Sequence, residues 1–192
     1  MKIVSSEVPL YDNHLKKMVM AALVEDVEQW RIEETGLLWK LRRQQLGLWS
    51  DIQHEHWDWG LKSRTFPWCQ TFAIEYRREI QGLLLVNTAS YSAKLSPDWD
   101  EPILYVSFLE SAPHNVYGQH FKYVGKQLYL AAIQHSIDTG CEGRVGLYSL
   151  PDVEVFYEKK CGMTRLEEYR SHEGLVYFES TRIQSREILK RK

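Results

Sequence analysis

Cysteine is scarce in this chain, and what there is carries no recognisable pattern. Cys69, Cys141 and Cys161 are three, odd in number and far apart, with no Cys-x-x-Cys pair. That excludes a disulfide framework and points to free thiols in a reducing compartment, so the expected location is cytoplasmic. Long apolar runs are also missing. No stretch of ~18 apolar residues exists to span a bilayer, and residues 1–17 have no apolar core of signal-peptide length. Neither sign of charge dominates, since 24 Lys and Arg face 26 Asp and Glu for a net charge of −2. No global field therefore draws the chain onto nucleic acid or an anionic membrane. Repeats, low-complexity tracts and Gly/Ser linkers are absent, which favours one continuous domain over 1–192. A chain of 192 residues can bury one sizeable core and is short for two.

The apolar residues that are present change period along the chain. Asp12 is placed to cap a helix whose Leu15, Met18, Val19, Ala22 and Leu23 follow the i, i+3, i+4, i+7, i+8 spacing. Leu37, Leu38, Leu41 and Leu46 extend a second helical pattern, with Gly36 as a break or bend. Residues 1–70 thus read as a helical region and 72–180 as a sheet-forming core. Phe72-Ala-Ile-Glu-Tyr76 and Gly82-Leu-Leu-Leu-Val86 read as the strands of a hairpin. Ile103-Leu-Tyr-Val-Ser-Phe-Leu109 is nearly all apolar, as a strand covered on both faces would be. A helix is expected over 125–139 with Gly140 as its C-terminal cap, then a strand over 143–150. Ser149-Leu-Pro-Asp152 signals a further helix start, and strands at 165–170 and 175–179 follow. Residues 181–192 read as a short basic helix or a frayed end. A strand–helix–strand piece must be a crossover, so one parallel pair sits inside a mostly antiparallel sheet.

Two segments carry a resemblance. The strand over 103–109, then Glu110-Ser-Ala-Pro-His-Asn115, then Lys122-Tyr-Val-Gly-Lys-Gln-Leu128 opening a helix, is similar to the CoA-binding motif of the GNAT superfamily of N-acetyltransferases. Val155-Phe-Tyr-Glu-Lys-Lys-Cys-Gly-Met163, following a strand, resembles that family's Phe-Tyr-Glu-Lys…Gly-Phe segment. The resemblance covers roughly the last 120 residues. It implies a mixed α/β fold: a twisted, mostly antiparallel sheet with a splayed parallel central strand pair and helices on both faces. It also implies acetyl-CoA as acyl donor and an amine as acceptor. On the donor side it implies contacts from Leu109, Ser111, Tyr123, Val124, Gly125, Lys126, Gln127, Leu128 and Ser149. The physical basis is general: a helix N-terminus presents unpaired N–H groups and partial positive charge to a pyrophosphate. Gly125 fits the first small position of the family pattern. Gln127 stands where a second small residue is usual, and either crowds the phosphate or donates a hydrogen bond to it.

Acyl transfer to an amine needs a neutral nucleophile, a stabilised oxyanion and a proton for the departing thiolate. The resemblance gives the last role to Tyr157, whose phenol stays protonated at neutral pH. Glu110, at the end of the central strand, is the candidate base, with Glu101 or a chain of waters as alternatives. A backbone N–H near 109–111 is the implied oxyanion donor. On the acceptor side the conspicuous segment is His54-Glu-His-Trp-Asp-Trp59. Its two histidines lack further ligands at zinc-like spacing, so no metal is expected. His56, Trp57, Asp58 and Trp59 either wall an acceptor pocket or, in the case of the tryptophans, pack helices onto the sheet. The expected acceptor is a small-molecule or peptide amine, with no membrane partner and a homodimer left open. A non-catalytic acyl-CoA-binding domain is the alternative reading. A nucleic-acid module using Trp57, Trp59 and the basic tail lacks the continuous basic stripe it would need.

Overall fold

The computed structural model describes residues 6–47, 58–65, 68–88, 91–116 and 120–190. Numbered along the chain as β1 (Ser6–Asp12), β2 (Lys17–Glu25), β3 (Gln70–Tyr76), β4 (Glu79–Asn87), β5 (Leu104–Ser111), β6 (Phe121–Lys122), β7 (Val145–Ser149), β8 (Thr164–Arg170) and β9 (Val176–Ser180), the strands stand in the order β6-β1-β2-β3-β4-β5-β7-β9-β8, and among the registered pairs β5 with β7 is the parallel one. Packing divides the chain into two compact units, the described residues of Met1–Leu85 with Phe108–Leu128, and Val86–Ser107 with Tyr129–Lys192.

The first unit opens with a hairpin, not a helix. Strand β1 (Ser6–Asp12) pairs antiparallel with β2 (Lys17–Glu25), Ser6 opposite Leu23 and Asp12 opposite Lys17. The helix expected over 12–23 is therefore corrected. Val19, Ala21 and Leu23 are buried while Met18 and Met20 are exposed, which is the two-residue period of a half-buried strand. Asp12 does bind backbone N–H groups, but those of His14 and Leu15, each at 2.9 Å. It closes the hairpin turn instead of opening a helix.

Helix α1 (Gln29–Gln45) buries Ile32, Thr35, Trp39 and Arg43 and leaves Leu37, Leu38 and Leu41 exposed. Its helical period is as expected; the buried face is another one. Gly36 lies inside the helix, and a Cβ there would stand 3.4 Å from Cβ of Trp59, so the glycine admits α2 (Trp59–Thr65) at close range. Strands β3 (Gln70–Tyr76) and β4 (Glu79–Asn87) form the expected hairpin. Its two-residue turn is Arg77-Arg78, with φ of 52° and 68°. Positive φ at both positions is the turn geometry that matches strand twist. Strand β5 (Leu104–Ser111) leads through a short helix α3 (Pro113–Val116) and β6 (Phe121–Lys122) into helix α4 (Val124–Asp138). Gly82 of β4 is where α4 approaches: an added Cβ would meet Val124 Cγ1 at 2.6 Å and Leu128 Cδ1 at 2.9 Å.

In the second unit, β7 (Val145–Ser149) runs parallel to β5, with Leu104 opposite Val145 and Tyr105 opposite Gly146. Strands β8 (Thr164–Arg170) and β9 (Val176–Ser180) complete it by antiparallel pairing. The helix α5 (Arg182–Lys190) ends the described chain. Between β7 and β8 the helix expected after Pro151 is a 3-10 turn, Pro151–Val153, followed by a π-helical turn, Phe156–Lys160. The wide turn closes through N–H donation from Cys161 to Phe156 O and from Met163 to Tyr157 O, both at 3.1 Å.

Candidate active site

Helix α4 begins at Val124. Tyr123, exposed and with φ of +77°, turns the chain into the helix, and the Gln127 N–H donates to Tyr123 O at 2.9 Å to close the first turn. The N–H groups ahead of it have no partner within the helix. No acidic side chain occupies this turn, so nothing in it opposes the positive end of the helix dipole. Gly125 and Lys126 are half-buried, while Val124 and Leu128 are core residues. The side chain of Gln127 turns away from the helix tip, its Nε2 donating to Pro9 O of β1 at 3.2 Å. That bond gives the amide a partner inside the protein.

Leu109 and Ser111 are half-buried and flank Glu110, which is buried. Oε1 of Glu110 accepts from Arg43 Nη1 at 2.6 Å, and Oε2 accepts from Trp59 Nε1, also at 2.6 Å. The pair with Arg43 is well shielded, with side-chain exposures of 8% and 4%. Glu110 thus ties α1 and α2 to the end of β5 through two charge-assisted bonds. The arginine is a residue that sequence reasoning missed. It lies 67 positions from its partner, and a lone Arg on a helix gives no sign of burial.

Trp59 is 1% exposed. Its ring meets Trp39 and Phe108 edge-on, with centroids 6.5 and 6.3 Å away, inside a core cluster that includes Ile32, Leu83 and Leu85. This is the packing arrangement, with the indole N–H satisfied as a buried tryptophan requires. Asp58 is exposed and caps α2, its Oδ1 accepting from Leu61 N at 2.8 Å. His54, His56 and Trp57 lie outside the described residues. Glu101 is exposed.

Tyr157, in the second unit, is buried at the start of the π-helical turn. Such turns are rare and recur at functional sites. Burial, then the neighbouring Cys161, pushes its phenol well above the ordinary range, so the group is a protonated donor at neutral pH. Its ring packs on Phe156 and Phe178, and its hydroxyl makes no hydrogen bond among the described residues. Ser149 is buried and donates to Leu150 O at 2.9 Å. None of the three cysteines forms a disulfide, and burial raises the thiol of Cys141. Among the described residues no group of three His, Cys, Asp or Glu could hold a metal ion, and no helix is long and apolar enough to cross a membrane.

No protein-family model matches the chain, and no curated protein does so. Solved structures do. An uncharacterized protein from Bacillus halodurans superposes at a TM-score of 0.60 with 13% identity, covering 99% of this chain and 96% of that one. A predicted acetyltransferase with acetyl-CoA from Clostridium acetobutylicum gives 0.54 and 10%, over 79% of this chain and 95% of that one. An acetyltransferase of the GNAT family from Staphylococcus aureus Mu50 gives 0.51 and 9%, over 83% and 97% respectively. At such identities it is the fold that is shared. With its mostly antiparallel sheet, one parallel pair and a helix crossing between the parallel strands, this chain has the fold of the GNAT acetyltransferases.

Proposed function

We propose that the chain is an acetyl-CoA-dependent N-acetyltransferase that transfers the acetyl group directly to a small-molecule or peptide amine. One observation carries the reading: on this fold, α4 begins after the central strand with Gly125 in its first turn, no acid there, and Gln127 bonded to β1. The pyrophosphate of the donor is assigned to the N–H groups of Val124, Gly125 and Lys126, with Tyr123, Gln127 and Leu128 shaping that turn and Ser149 assigned to the donor side. The amine nitrogen attacks the thioester carbonyl, and a backbone N–H of 109–111 holds the oxyanion. The C–S bond then breaks, and the thiolate takes the Tyr157 proton, a transfer suited to a buried phenol. Glu110 is assigned the ammonium proton, for which one of its two bonds has to open. His56 and Trp57 are assigned to the acceptor side with Asp58 and Trp59, the last through its hold on Glu110. Direct transfer fits the buried state of Cys141 and Cys161, and three cysteines outside any disulfide suit the cytoplasm.

The engaged carboxylate of Glu110 favours one second reading, a domain that binds acyl-CoA without turnover. Acetyl-CoA at about a hundred times its Kd should stabilise the fold by roughly 2.7 kcal/mol, or about 5–11 °C in Tm for a chain of this size. Gly125→Glu, which puts bulk and negative charge at the helix tip, should abolish that shift. No shift in the wild type at millimolar acetyl-CoA overturns both readings. A shift without thiol release across an amine panel selects the second.

A further inference from the structure

A recess lies wholly within the first unit, on the side of α1 that its exposed leucines border. It encloses about 410 Å³, within the range of small-molecule sites. Leu38, Trp39, Leu41 and Ile80 supply apolar wall, and Arg31, Arg42, Arg78, His114 and His120 supply nitrogen donors. Two acids, Glu34 and Glu79, also line it and are exposed to solvent.

The cations are not equivalent. Arg31 is paired with Glu75. Among the described residues Arg42 donates to the amide oxygen of Gln45 at 3.2 Å, and Arg78 makes no hydrogen bond or ion pair. Arg78 is held on the rim by the Arg77-Arg78 turn, where φ is positive at both residues. Asn-Gly is the unstrained choice for such a turn, so a pair of arginines there costs stability; Arg77 lies 5.2 Å over the ring of Tyr76, and Arg78 is left at the recess. Deeper in, His114 Nε2 lies 2.8 Å from Gln81 Oε1, and the rings of His114 and His120 are 5.3 Å apart. His14 stands edge-on to His120 at 4.5 Å.

From this cavity we propose a binding site for a small anion with an apolar body, its carboxylate or phosphate on Arg42 and Arg78 and its body against Leu38, Trp39, Leu41 and Ile80. Burial, then His120, then Arg42 lower the pKa of His114 to about 4. His120 is lowered too, by burial, His14 and Arg42, against smaller opposing effects of Asp12 and Glu79. The imidazoles are therefore neutral at pH 7, with His114 Nε2 engaged by Gln81 Oε1, and the positive charge offered to an anion is that of Arg42 and Arg78, with the exposed Glu34 and Glu79 beside them. The site does not depend on acetyl transfer.

Calorimetric titration of the whole chain tests it with 3-phenylpropionate, 3-phenylpropionamide and inorganic phosphate as probes. The carboxylate should bind saturably and the amide at least about tenfold more weakly, since two solvent-facing charge contacts together supply about that factor. Arg42→Gln with Arg78→Gln should remove the same tenfold while Tm stays at the wild-type value, because both side chains are exposed. Phosphate that displaces the carboxylate supports a shared anion position. Phosphate that also binds more tightly than the carboxylate assigns the site to phosphorylated ligands. Equal affinity for acid and amide, no saturable binding of any probe, or unchanged binding in the double variant overturns the proposal. Acetyl-CoA takes no part, so the outcome is separable from that of the acetyltransfer assay.

Discussion

Replacing Glu110 by Gln is the most informative single perturbation, because it preserves shape and removes only charge and acceptor capacity. In the native protein one carboxylate satisfies two donors, Arg43 Nη1 and Trp59 Nε1, both at 2.6 Å. A glutamine offers one carbonyl oxygen and one NH2, so one donor must face another donor. The guanidinium then remains buried, with 8% of its side chain exposed and no compensating charge. Breaking a buried pair from one side costs about 3–5 kcal/mol, which for a chain of this length lowers Tm by roughly 6–20 °C. Trp59→Phe removes the N–H and part of the indole while keeping one ring, so about 1.5–3 kcal/mol is expected from the lost bond to a charged group, with a cavity term added to it. Arg43→Met should resemble Glu110→Gln, and the double variant should fall short of the sum because both charges leave together. Thermal and urea unfolding followed by circular dichroism measure all four variants. A Glu110→Gln protein within about 0.5 kcal/mol of wild type, or additive single effects, would refute the clamp. Rates measured well below the variant's Tm then isolate what Glu110 does for proton transfer.

Other expectations are as specific. Tyr157→Phe keeps the packing on Phe178 but removes the proton donor, so kcat should fall while acetyl-CoA affinity is retained; unchanged kcat on a confirmed acceptor would make Tyr157 structural. Gly82→Ala forces a methyl into 2.6 Å of Val124 and 2.9 Å of Leu128, and should cost about 1–3 kcal/mol as overpacking, visible as a lower Tm. His114 has a folded pKa of about 4 against an ordinary 6.5. The unfolded chain therefore binds the proton first, and stability falls as pH drops from the higher value to the lower. His114→Gln should flatten that part of the profile of Tm against pH, and an unchanged slope would reject His114 as its source.

Much of the fold could be read from the sequence because local chemistry and long-range packing agreed there. The β3–β4 hairpin, the central strand, α4 with Gly140 at its end, and the last two strands all follow signals that neighbours within ten residues determine. The misread stretch is Lys17–Glu25, where Lys-Met-Val-Met-Ala-Ala-Leu-Val-Glu is rich in good helix formers. Val19 and Leu23 fit a helical and a strand period alike. Met18 and Ala22, which a helix would bury, and Ala21, which the strand buries, are what separate the two templates. Pairing with β1 and β3 then outweighs intrinsic preference, as tertiary context often does in strands.

The site divides along the same line. Gly125 at a helix start is a local signal, and α4 begins at Val124. What Gln127 does depends on Pro9, 118 positions away, and no pattern within α4 could reveal it. Trp59 illustrates the point from the other side. The aromatic crowding from His54 to Trp59 suggests a pocket wall as readily as a core residue, since tryptophan serves both. The deciding fact is a buried carboxylate 51 positions on, itself neutralised by an arginine on a third element. A helix whose leucines face outward and whose Arg43 faces inward makes sense only once that charge is in place. The same inversion leaves Leu38 and Leu41 beside Arg42 at the surface. The burial of one ion pair thus decides which face of α1 is left to bind something else.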